Sequence, residues 1–478
     1  METQLAVLGG GPGGYAAAFL AADLGMKVTL IEQDSRLGGT CLLRGCIPSK
    51  ALLHVAKVLA EAEHLAAWGV RFAKPAIDLA ALRGQKEKIL ATLSGGLRQI
   101  ASRRKVELVQ ARASFLDAYT LHLEPVAEGG PTADRLRFDH CIVATGSRPA
   151  IPKALQIESD RLWDSTAALQ MEEIPETLLV IGGGYIGLEM GTIYAALGSR
   201  VTVVEMTDGL LPGVDRDLVR PLQKRLEKLF EAVHLRTQIA SLAEKGKGKR
   251  LEALLQSADG DKSQTQSFDR VLVAVGRRPN TENLGLERTK VQINEQGFIQ
   301  VDAQRRTAEP SIYAIGDVAG QPMLAHKAAR EGKAAVQAIA GQAIEFNPRA
   351  IPAVVFTDPE IAWVGLTETE AKAQHRRIET AVFPWAASGR ALSMDRTEGL
   401  TKWIVDPESE RVLGCAVVGA GAGDQIGEAA LAVELACHLE DLAETIHPHP
   451  TLCETLSAAA EVYFGVATDL YKPRKKPS

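Results

Sequence analysis

Two cysteines lie five positions apart near the N-terminal end of the chain, in the segment GGTCLLRGCIPSK. In a regular α-helix, the Cα atoms of Cys41 and Cys46 would be about 8–9 Å apart, whereas a disulfide requires less than about 7 Å. A disulfide therefore requires a distorted helix, which Gly45 and Pro48 favour. Thiols at a helix N-terminus gain thiolate character, to which Arg44 would add positive charge. The segment predicts a redox-active pair; two buried thiols beside a turn are the alternative.

A second group of reactive side chains lies near the C-terminal end, in TIHPHPTLCE. His449 and Glu454 bracket a Pro-Thr turn, so the carboxylate could orient the imidazole and stabilise its charged form during base catalysis. A structural role for a histidine beside proline is the alternative. Two histidines with Cys453 and Glu454 also suggest a metal site, but no C-x-x-C ligands accompany them, and we expect no metal.

The elements that must position these residues repeat within the chain. VLGGGPGGYAAAFLAADLGMKVTLIE (7–32) and VIGGGYIGLEMGTIYAALGSRVTVVE (180–205) align without a gap. Each copy has an apolar strand, a G-x-G-x-x-G turn, a helix and a second strand that ends in glutamate. One such turn alone could be a glycine-rich loop. Two complete copies predict two Rossmann-like dinucleotide-binding units.

The turn residues have distinct tasks in each copy. The first glycine allows the tight turn, the second lets the backbone approach a pyrophosphate, and the third lets helix and strand pack closely. The pyrophosphate would lie at the helix N-terminus, where N–H groups are unpaired. Glu32 and Glu205 can accept hydrogen bonds from a ribose diol. Because residues 206–208 contain no arginine for a 2′-phosphate, we expect the second unit to prefer NAD over NADP. The glycines are Gly9, Gly11 and Gly14 in the first copy and Gly182, Gly184 and Gly187 in the second.

A second internal similarity relates FDHCIVATGSRP (138–149) to FDRVLVAVGRRP (268–279). Each predicts an apolar strand that ends in a glycine turn and closes its dinucleotide unit. SIYAIGDVAG (311–320) adds another strand that leads into Gly-Asp. Asp317 could bind the sugar-like chain of a flavin, and a turn-capping aspartate is the alternative. Two dinucleotides in one chain predict electron transfer between them.

Composition limits the remaining classes of protein. The 478 residues are 46% hydrophobic, include 43 glycines and carry a net charge of −5, as expected of a globular protein of about three domains. The body of the chain has no basic run, so we expect no nucleic-acid partner. We find no stretch of membrane-spanning length and no signal or transit peptide. The six cysteines lack the spacing of a disulfide scaffold, so we expect a cytoplasmic protein. Because no stretch is long enough to span a membrane, we expect no membrane partner. A basic cluster in the C-terminal tail is interpreted as solvated; it comprises Lys472, Arg474, Lys475 and Lys476.

These motifs together resemble a known family. GGTCLLRGCIPSK, GGGYIGLEMG, AVGRRPN, AIGDVAGQPMLAHKA and HPHPTLCE are similar to segments of the flavoprotein pyridine nucleotide–disulfide oxidoreductases, and the similarity covers nearly the whole chain. It implies an α/β fold with two Rossmann-like dinucleotide-binding domains, a central domain and an α+β C-terminal dimerisation domain. The implied bounds are 1–150 for the FAD domain, 151–270 for the NAD domain, 271–345 for the central domain and 346–478 for the dimerisation domain.

The resemblance implies roles for residues around the cysteines. Cys46 would be the thiol in contact with the flavin, and Cys41 the interchange thiol that attacks the substrate disulfide. Lys50, paired with Glu189, would lie near the reactive nitrogen of the flavin. Tyr185 would cover the nicotinamide pocket.

The resemblance also implies the remaining contacts of the site. His449, supported by Glu454, would be the base and would come from the other subunit of a homodimer. Contacts to FAD would come from Gly9, Gly11, Gly14, Glu32, Gly39, Thr40, Lys50, the backbone at Ala113, Gly146, Asp317 and Ala325. Contacts to NAD would come from Gly182, Gly184, Tyr185, Ile186, Gly187, Glu205, Ile239, Gly276 and Arg277.

Two features depart from the usual pattern of that family. The redox loop carries Leu43 and Arg44 where Asn-Val is usual, which could change the potential of the disulfide. Ala111 and Ala113 stand where glycine is frequent, and a backbone contact to the flavin tolerates alanine only at negative φ. Neither departure removes a catalytic group.

Within the family, the chain resembles members that oxidise dihydrolipoamide with NAD⁺ in 2-oxo acid dehydrogenase complexes, whose lipoyl domains and core acyltransferase would be its partners. Rival expectations are a related reductase of another disulfide and a subunit that chiefly docks to such a complex. Glutathione reductases should prefer NADP, which Glu205 opposes. High-molecular-weight thioredoxin reductases and mercuric reductases carry another C-terminal cysteine pair, which is missing after Cys453. A similar transhydrogenase lacks the full redox pair.

Overall fold

The computed structural model describes residues 1–126, 133–245 and 250–471, so the basic tail cluster lies outside the described residues. Within these ranges, two sheets with parallel strands carry helices, and an antiparallel sheet follows near the C-terminus. This architecture confirms the predicted α/β class. No described helix has both the length and the apolar character that crossing a bilayer requires.

The first unit is built around the N-terminal strand. Its elements are β1 (Glu2–Leu8), α1 (Pro12–Asp23), β2 (Val28–Glu32), α2 (Gly39–Arg44), α3 (Cys46–His64), α4 (Leu79–Arg103), β3 (Glu107–Asp117), β4 (Thr120–Pro125), β5 (Arg135–Val143) and β6 (Ser147–Pro149). β1 lies between β2 and β5, and β3 lies beyond β2, all in parallel. The inner strands are apolar along their length because helices and other strands cover both of their faces.

The second unit repeats this arrangement. Its elements are β7 (Leu162–Trp163), α5 (Ser165–Gln170), β8 (Thr177–Ile181), α6 (Tyr185–Ala196), β9 (Arg200–Val204), α7 (Arg216–Leu229), β10 (Ala232–His234), β11 (Thr237–Lys245), β12 (Arg250–Ser257), β13 (Ser263–Phe268), β14 (Arg270–Val273) and β15 (Arg277–Pro279). The parallel sheet has the order β10-β9-β8-β14-β7, and β11 to β13 form an antiparallel sheet. β14 crosses the predicted boundary at residue 270. The four domain bounds remain predictions.

The two units are joined where their similar strands end. β6 and β15 pair in antiparallel, with Arg277 opposite Pro149 and Pro279 opposite Ser147. The chain then returns to the first unit through β16 (Ile312–Ala314) and α8 (Ala325–Ile339). β16 pairs with β5 on the side away from β1, so residues 312–314 complete the first sheet.

The C-terminal part holds a separate antiparallel sheet of order β17-β18-β21-β20-β19. Its elements are β17 (Ala353–Val355), β18 (Glu360–Gly365), α9 (Glu368–Ala373), β19 (Glu379–Pro384), α10 (Gly389–Ser393), β20 (Leu400–Val405), β21 (Val412–Gly419), α11 (Ala422–Glu434), α12 (Leu439–Glu444) and α13 (Glu454–Phe464). Trp403 is fully buried, and its indole N–H donates to the Leu456 carbonyl at 2.8 Å. This contact fixes α13 against the sheet.

A buried ion cluster connects the second unit to the C-terminal sheet. The Lys402 ammonium is fully buried and donates to Asp215 at 2.9 Å, Asp217 at 2.9 Å and Glu368 at 2.6 Å. Losing the partners of a buried charge costs about 3–5 kcal/mol. We therefore expect this cluster to resist separation of the two parts.

Candidate active site

The main cavity, about 980 Å³ in volume, lies between the first unit and α6 of the second. Most residues predicted to bind FAD line it: Gly9, Gly11, Glu32, Gly39, Thr40, Lys50, Ala113, Gly146, Asp317 and Ala325. Gly14 does not, since its task is packing. Ala111 and Ala113 lie in strand β3, where an extended backbone accepts alanine.

The first glycine turn is shaped so that side chains cannot enter. Gly9 has φ of +107°, and a Cβ on Gly14 would lie 1.8 Å from the Gly9 carbonyl oxygen. A Cβ on Gly39 would lie 2.6 Å from the Gly11 Cα. No side chain caps the N-terminus of α1, so its first N–H groups remain available to an anion. The turn therefore suits a pyrophosphate.

Glu32 is tied to the first glycine turn through its carboxylate, which accepts N–H groups from Gly10 at 2.6 Å and from Asp34 at 2.9 Å. Burial raises the pKa of Glu32 above its usual value, although the Gly10 N–H and the nearby Arg44 oppose the shift. Its oxygens have further acceptor capacity for a ribose hydroxyl.

The two redox cysteines lie on either side of a break between helices. α2 ends at Arg44, Gly45 has φ of −147° and ψ of −109°, and α3 begins at Cys46. The predicted distortion is confirmed. Both cysteines are free thiols on the cavity wall. The break gives the segment the irregular geometry that a disulfide across five residues requires.

The two thiols differ in acidity. A hydrogen bond between them lowers the pKa of Cys46 to about 7, assisted by the charge of Lys50, and raises the pKa of Cys41 far above its usual value. The expectation that Arg44 supplies the positive charge is wrong, because its guanidinium pairs with Asp34. Cys46 is therefore the thiol that ionises first and the better leaving group.

Lys50 is held by residues from two distant parts of the chain. Its Nζ lies 2.8 Å from the carboxylate of the buried Glu189 on α6, as the resemblance implied. The other Glu189 oxygen accepts the N–H of Phe356 at 3.0 Å, and Lys50 Nζ lies 4.5 Å from the centre of the Phe356 ring. No sequence pattern pointed to Phe356, because its contacts are a main-chain N–H and a ring face.

Asp317 and Arg277 meet at Ser147, which sequence reasoning missed. The Ser147 hydroxyl donates to the Asp317 carboxylate and accepts from Arg277 Nε at 2.7 Å. Arg277 also donates to the Ser147 carbonyl at 2.8 Å. The repeat match placed Ser147 and Arg277 in equivalent segments, SRP and RRP, but their contact arises from the pairing of β6 with β15, which the match did not indicate.

The second glycine turn reproduces the first. Gly182 has φ of +110°, and a Cβ on Gly187 would lie 2.1 Å from the Gly182 carbonyl oxygen. Glu205 accepts the N–H of Gly183 at 2.7 Å and the N–H and hydroxyl of Thr207, each at 2.8 Å. This arrangement fits a second dinucleotide. Gly184 caps α6 without a side-chain bond.

The residues predicted to bind NAD divide between two places. Tyr185, Ile186 and Arg277 line the main cavity. The remaining predicted residues lie elsewhere in the second unit. Gly182, Gly184 and Gly187 belong to the second glycine turn, Glu205 directly follows β9, Ile239 lies in β11, and Gly276 lies between β14 and β15. The first two residues of α6 therefore line the main cavity, while its N-cap, Gly184, belongs to the second glycine turn.

His449 and Glu454 form the predicted pair away from the main cavity. His449 Nδ1 lies 2.8 Å from Glu454, which also accepts the N–H of Thr451 at 2.6 Å. Despite partial burial, these contacts hold the pKa of Glu454 below its usual value. The His449 side chain is 80% exposed, and neither residue of the pair belongs to the cavity wall of this chain.

Two dinucleotide-binding folds around a cysteine pair define a redox enzyme. Residues 3–332 match the model of pyridine nucleotide-disulphide oxidoreductases, and residues 351–460 match that family's dimerisation domain. The chain therefore belongs to the pyridine nucleotide-disulphide oxidoreductase family, which confirms the resemblance. Enzymes of this family use FAD and NAD, and the two glycine turns and their glutamates fit these groups.

Similar proteins cover the full chain. Dihydrolipoyl dehydrogenase of Haemophilus influenzae is 48% identical over 100% of this chain and 98% of its own length, and that of Vibrio parahaemolyticus is 47% identical with the same coverage. The crystal structure of LpdA from Mycobacterium tuberculosis has a TM-score of 0.87 at 29% identity, covering 96% of this chain and 99% of its own. The HOCl-induced flavoprotein disulfide reductase RclA from Escherichia coli, as its Cu(II) complex, has a TM-score of 0.85 at 25% identity, covering 97% and 99%.

Proposed function

We propose that the chain is a dihydrolipoyl dehydrogenase, which oxidises protein-bound dihydrolipoamide to lipoamide and reduces NAD⁺ to NADH. The observation that carries this proposal is the placement of Cys41 and Cys46 on the cavity wall, on either side of the break between α2 and α3, with the Lys50–Glu189 ion pair beside them. The full-length similarity to dihydrolipoyl dehydrogenases at 47–48% identity supports this substrate.

The substrate half-reaction begins with a proton transfer. His449 Nδ1 is held by Glu454, so Nε2 is the atom that accepts the proton of a substrate thiol. The substrate thiolate attacks Cys41 Sγ and breaks the disulfide, and Cys46 leaves as a thiolate. The second substrate thiol then attacks the mixed disulfide, which releases lipoamide and leaves Cys41 reduced.

The charged neighbours of Cys46 support its role as the leaving thiolate. Lys50 lowers the pKa of this thiol, and Glu189 keeps the ammonium in place from the opposite wall. FAD, which the first glycine turn and Glu32 would hold, would supply the two-electron redox chemistry between the dithiol and NAD⁺. Tyr185, 42% exposed at the start of α6, would cover the nicotinamide.

The assembly that we propose is a homodimer within 2-oxo acid dehydrogenase complexes, where lipoyl domains and the core acyltransferase are its partners. His449 and Glu454 fall within the matched dimerisation domain and away from the cavity of their own chain. A second copy would therefore bring His449 to the cysteines. We also infer a cytoplasmic location, which the lack of disulfide-scaffold spacing among the six cysteines of the sequence supports.

The decisive experiment compares steady-state rates with dihydrolipoamide and NAD⁺ against NADPH with oxidised glutathione. We expect the unmodified protein to turn over dihydrolipoamide with NAD⁺. The Cys41→Ser variant should lose this activity while retaining bound FAD. Cys437→Ser, a cysteine away from the cavity, serves as the matched control with normal turnover. Normal turnover in Cys41→Ser, or faster glutathione reduction, would overturn the proposal. A colourless protein that still binds the complex would instead indicate a docking subunit.

A further inference from the structure

A largely buried ion cluster contacts the turn that carries Asp317. Glu331 on α8 has a side chain with 0% exposure, and it accepts Arg305 Nη1 at 2.9 Å and Lys327 Nζ at 3.1 Å. Its other oxygen accepts the main-chain N–H of Gly316 at 2.6 Å. None of these three charged side chains belongs to the cavity wall. None of the proposed catalytic steps involves this cluster.

The cluster holds the Asp317 turn at both ends. Glu331 takes the N–H of Gly316 at its start, and Lys327 Nζ donates to the Gly320 carbonyl at 3.1 Å at its end. Asp317 lies between these contacts and lines the cavity. A charged group makes a stronger hydrogen bond to the backbone than a neutral group does. The orientation of Asp317 thus depends on two charges that lie outside the cavity.

Helix α8 is itself fixed against the helix of the first glycine turn. A Cβ on Gly332 would lie 2.7 Å from the Gly13 carbonyl oxygen, and a Cβ on Gly13 would lie 3.1 Å from the Ala328 carbonyl oxygen. Such close backbone contact leaves α8 little freedom to rotate about its axis. Glu331, next to Gly332, therefore has a defined position relative to the N-terminus of α1.

We propose that Glu331 and Lys327 are positioning residues for FAD, which hold Asp317 at a fixed distance from the pyrophosphate turn and so set how tightly the cofactor binds. The proposal rests on the proposed function only in taking the main cavity as the FAD site. It assigns no contact between FAD and either residue. A purely structural cluster would affect the stability of the fold and leave the affinity for FAD unchanged.

The first experiment measures the dissociation constant of FAD for the full-length apoprotein by flavin fluorescence, with thermal melting in parallel. We expect Glu331→Gln to bind FAD about tenfold more weakly, because Gly316 loses its charged acceptor. Lys402→Met is the matched control, since the fully buried Lys402 ammonium pairs with three carboxylates away from the cavity. We expect it to melt at a lower temperature with an unchanged FAD constant. The same pattern in Glu331→Gln would overturn the proposal.

A second variant keeps the test valid if Glu331→Gln does not fold. Glu331→Gln/Lys327→Met preserves the net charge of the cluster while removing the charge from both anchors of the turn, and we expect the same weakening of FAD binding. An unchanged constant in this variant would contradict the proposal.

Coupling to Asp317 separates positioning from a general loosening of the site. If Glu331 acts through Asp317, adding Glu331→Gln to Asp317→Ala should change the FAD constant little further. Additive effects would overturn the proposal. Turnover of dihydrolipoamide at saturating FAD is scored separately, so failure of the proposed substrate leaves this result unaffected.

Discussion

The two dinucleotide-binding units have nearly the same backbone but different surroundings. The first glycines have φ of +107° and +110°, and the glutamates that end the second strands accept the next glycine N–H at 2.6 and 2.7 Å. Beyond the glutamates they diverge. Asp34, two residues after Glu32, pairs with Arg44 of the redox segment, whereas Thr207, two residues after Glu205, donates its hydroxyl back to that glutamate.

The units also differ in what covers their first helix. α8 packs against α1 with backbone contact at Gly13 and Gly332. The second unit has no cysteine segment after its second strand, and α6 reaches the main cavity through Tyr185 and Glu189. One type of folding unit thus acquires two tasks through its neighbours, while the nucleotide turn itself stays unchanged.

The strongest test of this comparison exchanges the third glycine of each turn for alanine. Because the new Cβ would lie 2.1 Å from the Gly182 carbonyl oxygen, we expect Gly187→Ala to weaken NAD⁺ binding about a hundredfold and to retain FAD. Gly14→Ala, with its Cβ 1.8 Å from the Gly9 carbonyl oxygen, should lose FAD and keep NAD⁺ binding. Calorimetric titration with NAD⁺ and the flavin absorbance measure the two effects. Loss of both nucleotides in both variants would show that the units are not independent.

An intermediate effect is expected where the two units meet at Cys46. Lys50 lowers the pKa of Cys46 and Glu189 raises it, so Lys50→Met should move it up by about one pH unit and Glu189→Gln should move it down. Since the pKa is about 7, thiolate at neutral pH falls in the first variant and rises in the second. The pH profile of alkylation of the reduced protein measures this.

Arg44→Val provides the control for that profile. Arg44 is paired with Asp34 in the first unit, and we expect its loss to leave the Cys46 profile in place. If Arg44→Val shifts the Cys46 pKa as much as Lys50→Met does, then Arg44 does supply positive charge to the thiolate, as the sequence suggested.

We expect the smallest effect from the Thr207 hydroxyl, which bonds Glu205 in the second unit and has no counterpart at Asp34 in the first. Thr207→Val removes the hydroxyl that bonds Glu205 but keeps the main-chain N–H, so we expect the KM for NAD⁺ to rise about fivefold with kcat unchanged. Thr207→Ser should retain the original KM. An unchanged KM in the valine variant would mean that the hydroxyl does not hold the glutamate in place.

Features encoded over short stretches of sequence were predictable. The glycine turns, the terminal glutamates and the break between Cys41 and Cys46 depend on residues within one strand–turn–helix segment, where spacing determines geometry. The match of FDHCIVATGSRP to FDRVLVAVGRRP indicated equivalent strands, but nothing in it indicated that β6 and β15 would pair with each other.

Contacts between distant segments were not predictable from spacing. Phe356 meets Lys50 and Glu189, and Glu331 meets Arg305 and Gly316, only because separate strands and helices pack together. The role expected for Arg44 failed for the same reason, since its partner Asp34 lies on another loop. The pairing of Lys50 with Glu189 could be expected only from the family resemblance.

The separation of His449 from its own cavity has a consequence for inheritance. In the proposed dimer, each site combines cysteines of one chain with the histidine of the other. A chain lacking Cys41 and a chain lacking His449 would each be inactive alone. Mixed in one cell, they would form hybrid pairs with one intact site and one doubly defective site. Two defective alleles would therefore partly restore activity, whereas two different Cys41 alleles would not.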